Sequence, residues 1–324
     1  VDPQKAHSLL QNILPSLPHY GPLPGNFFCQ LYPFNQDEYL VMATDGVGTK
    51  ILLALEFGYL EEIGYDLVAM VYNDMITSGA KGLAFLDYYS TGHLDQKVFP
   101  VVLKSIIDAC QEAGMDLLGG ETAEMPGLYK EGDFDLAGFG VGRVEKEKLL
   151  GPHRVQEGDL LVGIPASGFH SNGYSLIRKV LKERNLDLQR IYTFDDISMP
   201  LGKHLLKGTR IYSEVQRLWE DQKISLSACA HITGGGIYEN LPRILPPGMS
   251  ACLKEETFPG LEILQWFQEI KGLSLQETVS IFHGGYGMIL AVPESGKESV
   301  KQHFPHSKTL GWIEKGDSPI VWVK

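Results

Sequence analysis

What this sequence of 324 residues does without rules out several kinds of protein. No stretch approaches 18 uninterrupted apolar residues, and the start of the chain shows no basic region followed by an apolar one, so neither a membrane span nor a secretory signal is expected. Lys and Arg number 28 against 40 Asp and Glu, giving a formal charge of −12, and they form no basic stripe. Such a chain is not built to bind nucleic acid, and any phosphate chemistry must be local. The four cysteines, Cys29, Cys110, Cys229 and Cys252, are dispersed and include no CxxC pair. That excludes a zinc site and a disulfide framework by spacing and fits reduced, buried thiols of a cytoplasmic protein. The ten histidines form no HExxH.

What is present is a 44% apolar composition, enough for a large core, and a length that favours two domains over one. The chain is organised around residues 40–50, LVMATDGVGTK. Leu40 to Ala43 read as a buried strand that breaks at Asp45 into a turn with Gly46 and Gly48, and Lys50 leads into the helix-compatible ILLALEF. Glycines let a backbone approach an anion, amide groups at a helix start can bind it, and a lysine adds a point charge. Asp45 beside phosphate oxygens would need a divalent cation between them, most often magnesium. The spacing is neither GxxxxGK[ST] nor GxGxxG, and taken alone the stretch reads more readily as a plain turn than as a phosphate site.

Residues 3–14 fit a short amphipathic helix, and the proline-rich 15–26 a loop. Strands are expected over 27–32 and 38–44, and a largely buried helix over 64–80. Asn73-Asp74 inside that helix need compensation, either a hydrogen bond or a metal shared with Asp45. Asp87 interrupts a strand over 83–90; a helix spans 96–113; the strand MDLLGG then runs into the turn GGETAEMPG, where Glu121 is either a helix N-terminal acid or a ligand. A long strand over 134–146 closes this half. The polar stretch 147–158 holds the domain boundary, giving domains of 1–155 and 156–324. The second half opens with a strand over 159–166 and the turn SGFHSNGYS, in which His170, Ser171 and Asn172 precede a helix as ligands or as a simple N-cap. A strand, the turn of Gly234, Gly235 and Gly236, and a helix repeat that layout over 226–245. Helices near 210–220, 260–270 and 294–303 and strands at 249–254, 286–292, 308–314 and 319–323 complete an α/β half.

The strings ATDGVGTK, DLVAMVYND, FLDYYSTGHLD, GGETAEMPGLY, DLAGFGVG, SGFHSNGYSLIRKVL, PLGKHLLKGTRIY, HITGGGIYENLPRILP and GGYGMILAV occur in this order over essentially the whole chain. In this the sequence resembles the aminoimidazole ribonucleotide synthetases, also called phosphoribosylformylglycinamidine cyclo-ligases. The resemblance implies an α/β (α+β), two-domain subunit, whose N-terminal mixed-sheet domain binds ATP and Mg2+ and pairs with a second copy in a shared barrel. The C-terminal α/β domain would bind substrate. The implied reaction closes the imidazole ring of formylglycinamidine ribonucleotide with ATP, releasing ADP and phosphate, by phosphorylating the formyl amide oxygen before a nitrogen attacks that carbon.

Carried onto this chain, the resemblance assigns ATP binding to Thr44, Asp45, Gly46, Gly48, Thr49, Lys50, Asn73 and Asp74, and magnesium to Asp45, Asp74 and Glu121. Substrate binding falls to Asp87, Ser171, Asn172, Gly173, Thr233, Gly234, Gly235 and Gly236, and catalysis to His170, Lys50 and Asp45, with His170 moving a proton or activating the amide. The chain departs from the family where a glycine-dense segment usually precedes the first strand: it reads HYGPLPGNFF, with Gly21 and Gly25 alone. Near residue 283 it has FHGGYG in place of the usual FN and GxG. Another ATP-dependent kinase or synthetase of the same superfamily, or a nucleotide-binding homologue without turnover, are the alternatives.

Overall fold

The computed structural model describes residues 28–324; the helix expected over 3–14 and the loop over 15–26 lie outside the described residues. In the first half the elements run β1 (Gln30–Pro33), β2 (Glu38–Gly46), α1 (Lys50–Phe57), α2 (Ile63–Ile76), β3 (Lys81–Thr91), α3 (Val98–Ala113), β4 (Asp116–Glu124) and β5 (Phe134–Glu145). The five strands form one mixed sheet in the order β1-β2-β5-β3-β4, with β3 and β4 parallel and the other pairs antiparallel.

The sequence of β5 shows why the sheet has one covered face. Its residues alternate, with Phe134, Leu136, Gly138, Gly140 and Gly142 buried and Asp135, Ala137, Phe139 and Arg143 turned the other way. Helix α2 covers the glycine side at close range: a Cβ at Gly140 would sit 2.6 Å from Val71 and 2.8 Å from Met75. Helix α3 lies beside it with Val102, Ile106, Ala109 and Ala113 inward, a helical spacing. The two helices meet at Gly64, where a Cβ would collide with the backbone of Ile106. On the far face of the sheet Leu86, Tyr88, Leu118 and Phe139 are exposed.

Two expected turns prove to be strand. β4 runs on through Gly119, Gly120 and Glu121 to Glu124, because its parallel ladder with β3 continues from Ala84–Asp116 to Thr91–Glu124. β2 likewise extends through Asp45 and Gly46, paired with Gly138 and Ala137 of β5. In both cases pairing with a neighbour outweighs the weak strand preference of glycine.

The second half comprises β6 (Leu160–Pro165), α4 (Tyr174–Glu183), β7 (Ile191–Phe194), β8 (Ile197–Pro200), α5 (Leu201–Leu206), α6 (Ser213–Glu220), β9 (Ala228–His231), α7 (Gly236–Asn240), β10 (Met249–Lys254), α8 (Glu262–Lys271), α9 (Leu275–Ile281), β11 (Tyr286–Val292), α10 (Lys297–His303), β12 (Lys308–Lys315) and β13 (Ile320–Val323). Six strands form a second mixed sheet, β13-β10-β12-β6-β11-β9, antiparallel except between β10 and β13. Every residue of β9 and β11 is buried, as expected of strands covered on both faces. The hairpin of β7 and β8 and the short helices α5 and α9 were not among the expected elements.

The larger hydrophobic cluster runs from Val41 and Phe85 through Ile177 to Met288 and Phe304, so one interior passes through both halves. A second cluster, with Leu161, Ala230, Leu253 and Ile289, fills the opposite side of the second sheet. No helix among the described residues is long and apolar enough to cross a membrane.

Candidate functional site

The turn after β2 meets the turn that opens α4, and that turn faces a glycine turn of the second half. Gly48 takes a left-handed φ of 73°, and Lys50 then starts α1. Thr44 Oγ1 donates to Gly138 O at 2.8 Å, and Thr49 Oγ1 lies 3.3 Å from Ser175 Oγ, at the head of α4. The turn preceding α4 carries His170, Ser171, Asn172 and Gly173. The turn of Thr233 to Gly236 is pinned by Asn240, whose Nδ2 donates to the carbonyls of Thr233 (3.4 Å), Gly234 (3.0 Å) and Gly236 (2.8 Å). Asn172 and Gly234 face each other: a Cβ on the glycine would lie 3.8 Å from Asn172 Oδ1. Asn172 Nδ2 is buried and has no hydrogen-bond partner. Such a donor sits at a standing cost unless something brings it an oxygen.

The expectation for Lys50 as a phosphate ligand is corrected. Its side chain is wholly buried, and Nζ is taken by Asp66 (2.7 and 2.8 Å), His170 O (3.0 Å) and Lys207 O (2.7 Å). Burial lowers the pKa of Lys50 and raises that of Asp66, while their mutual attraction opposes both shifts.

His170 is also wholly buried, with a left-handed φ of 57°. Its Nε2 accepts from the Ser167 N–H at 3.2 Å, which leaves the proton on Nδ1, where it finds no partner. Burial first, then the neighbouring His283, push its pKa well below the usual 6.5. The ring is neutral with its lone pair occupied, so in this arrangement it is not a free base.

The odd pair in α2 is compensated by hydrogen bonds between the halves. Asn73 Nδ2 donates to Arg210 O at 2.8 Å and its Oδ1 accepts from Tyr212 N at 3.0 Å. Asp74 Oδ1 meets His231 Nδ1 at 2.8 Å. Asp45 accepts from Gly46 N at 2.7 Å; burial raises its pKa, and the nearby charge of Asp74 adds to the rise.

Asp45 and Asp87 lie in one row across the sheet, each opposite Gly138, on the face that α2 and α3 cover. Burial raises the pKa of Asp87 as well. Glu121 is paired one residue further along, with Tyr88, and therefore projects to the opposite, exposed face. The expected triad of Asp45, Asp74 and Glu121 is thus not assembled, and among the described residues no group of three His, Cys, Asp or Glu side chains could hold a metal. Asp45 is left with the charge of Asp74 nearby.

His231, Asp66, Thr209 and Asn240 belong to this site and were not singled out in the sequence. His231 and Asn240 stood inside the string HITGGGIYENLPRILP, but their partners are 157 and up to seven residues away. Asp66 reads as an ordinary first-turn acid of α2.

Family models for the AIR synthase related protein match the N-terminal domain over residues 28–144 and the C-terminal domain over 156–324. The phosphoribosylformylglycinamidine cyclo-ligase of Geobacillus kaustophilus is 46% identical over 282 residues, covering 86% of this chain and 81% of that protein. The chloroplastic/mitochondrial phosphoribosylformylglycinamidine cyclo-ligase of Vigna unguiculata is 44% identical, over 91% of this chain and 74% of that one. Among solved structures, a chain of a HypE–HypF complex superposes with a TM-score of 0.68 at 17% identity, covering 97% and 96% of the two chains, a likeness of fold alone.

Proposed function

The chain belongs to the AIR synthase related family, among its phosphoribosylformylglycinamidine cyclo-ligases, and from that premise we propose that it closes formylglycinamidine ribonucleotide to aminoimidazole ribonucleotide at the expense of ATP, in purine synthesis. The observation that carries this reading is identity of 44–46% along most of the chain with relatives of that name. We take its two domains to divide between residues 155 and 156.

Transfer of a phosphoryl group needs placement and charge neutralisation more than covalent help from the protein. The turn of residues 46–49 is open enough for a phosphate to approach the backbone, since nothing lies within 4 Å of where a Gly48 side chain would start. Magnesium bound with the triphosphate would neutralise its charge, and Asp45 and Asp74 fit the one or two carboxylates that such an ion takes from a protein. Asn172, beside the glycine turn, keeps an amide donor without a partner, suited to a substrate oxygen on which negative charge grows. His170 orders the Asn172 turn through its carbonyl and its ring.

The exposed face of the first sheet, with Leu86, Tyr88, Leu118 and Phe139, supports a homodimer in which two such sheets close on one another. The four cysteines are free and buried, which suits a reducing compartment such as the cytoplasm. Release of ADP tests the function: it is expected to require formylglycinamidine ribonucleotide together with ATP and magnesium. Release without that substrate, or with a different small-molecule acceptor, would count against this reading.

A further inference from the structure

Lys50 and Asp66 form a wholly buried ion pair for which the reaction above has no use. Both belong to the first half, yet the other hydrogen bonds of the pair go to the second. Lys50 Nζ donates to the carbonyls of His170 and Lys207, and Asp66 Oδ1 accepts from the Thr209 N–H (2.9 Å) and hydroxyl (2.6 Å). Thr209 Oγ1 in turn lies 3.2 Å from Ser171 Oγ. The segment gripped in this way is unusual. A residue with a side chain enters the left-handed region of His170 when its surroundings hold it there. Here an ammonium holds its carbonyl and the Ser167 N–H holds its ring. Two residues on, Asn172 turns its Oδ1 toward Gly234 and leaves its Nδ2 without a partner.

We propose that the Lys50–Asp66 pair is a positioning device for catalysis, which clamps the turn of residues 170–173 through the His170 carbonyl and Thr209 in the backbone conformation that aims the Asn172 amide at substrate. Asp66 cancels the lysine charge, and Lys50 touches no phosphate. This deepens the function proposed above and rests on Asn172 meeting the substrate there. Replacing one member alone would strand a buried charge, so the pair is tested by replacing both or by acting on Thr209.

Two changes carry the test: the double variant Lys50→Met/Asp66→Leu, and Thr209→Val, with Thr209→Ser as the variant that keeps the hydroxyl. The expected result is a kcat lower by roughly a hundredfold in the first two, as misplacement of a reacting group produces. The KM for ATP stays within about twofold, because no contact made equally to bound ATP and to the transition state is lost. Thr209→Ser restores kcat. Hydrogen exchange of the amides of residues 170–173 speeds up in the two slow variants, a readout that needs no turnover. If the double variant does not fold, the Thr209 pair decides alone. A raised KM for ATP with kcat intact would return Lys50 to the phosphate and overturn the proposal, as would unchanged kcat or unchanged exchange in a folded variant. A wild-type protein without substrate-dependent ADP release would instead sink the function, and the exchange measurement would still judge the clamp.

Discussion

A neutral histidine joins two loops of the second half. His283 Nε2 donates to Gly168 O at 2.8 Å while its Nδ1 accepts from Gly285 N at 3.0 Å, and the uncharged ring alone can do both. Burial pushes its pKa from 6.5 to about 4, with the bond to Gly168 opposing and the nearby His231 adding to the fall. In the unfolded chain the ring takes its proton near the ordinary value. Between the two values the unfolded state therefore binds the extra proton, and stability is lost as the pH drops through that window. The loss is roughly 3 kcal/mol, and His170, pushed the same way, adds to it. Denaturant midpoints measured between about pH 7 and 4 are expected to fall steadily; a flat profile would mean these rings already accept protons in the folded chain. At this scale the sequence was legible for residue types and less so for their duties. Asp45, Asn73 and Asp74 stood out because acids and amides are costly in apolar surroundings, whereas the partner of Lys50 that decides its role is 16 residues away and looked like a helix-start acid.

Most helices and strands could be read from apolar periodicity. The extension of β4 through glycines and Glu121 could not, since its cause is a ladder with β3 that local sequence does not announce. One consequence was decisive: a strand places successive side chains on opposite faces, so Glu121 parts company with Asp87 and Asp45. The hairpin of β7 and β8 was missed for a similar reason. It turns at Asp195 and Asp196, both left-handed at φ 48° and 62°, without the Asn-Gly signal such turns usually show. Packing of α2 on α3 depends on the missing side chain of Gly64. Gly64→Ala is expected to destabilise the protein by roughly 1–3 kcal/mol through overpacking, with the loss visible as a lower urea midpoint at unchanged slope. An unaltered midpoint would show that the two helices can separate without cost.

For the whole molecule, the α/β class was within reach of the sequence, because strand, glycine turn and helix alternate in it, while the mixed sheet of the first half came from the family resemblance. The open apolar face of the first sheet, on which the proposed dimer rests, was not within reach, since an apolar residue there reads the same as one in a core. Sedimentation should find twice the mass of one chain, and Phe139→Arg, on the exposed face, should halve it and abolish turnover. A wild-type monomer with full turnover would remove the dimer from the proposal. The continuous hydrophobic cluster from Val41 to Phe304 bears on how this protein fails. Two family domains share it, and Asn73, Asp74 and Lys50 are bonded across the join. Heating therefore encounters one melting body, and a piece cut from either end would carry with it half of an oily surface that has lost its cover.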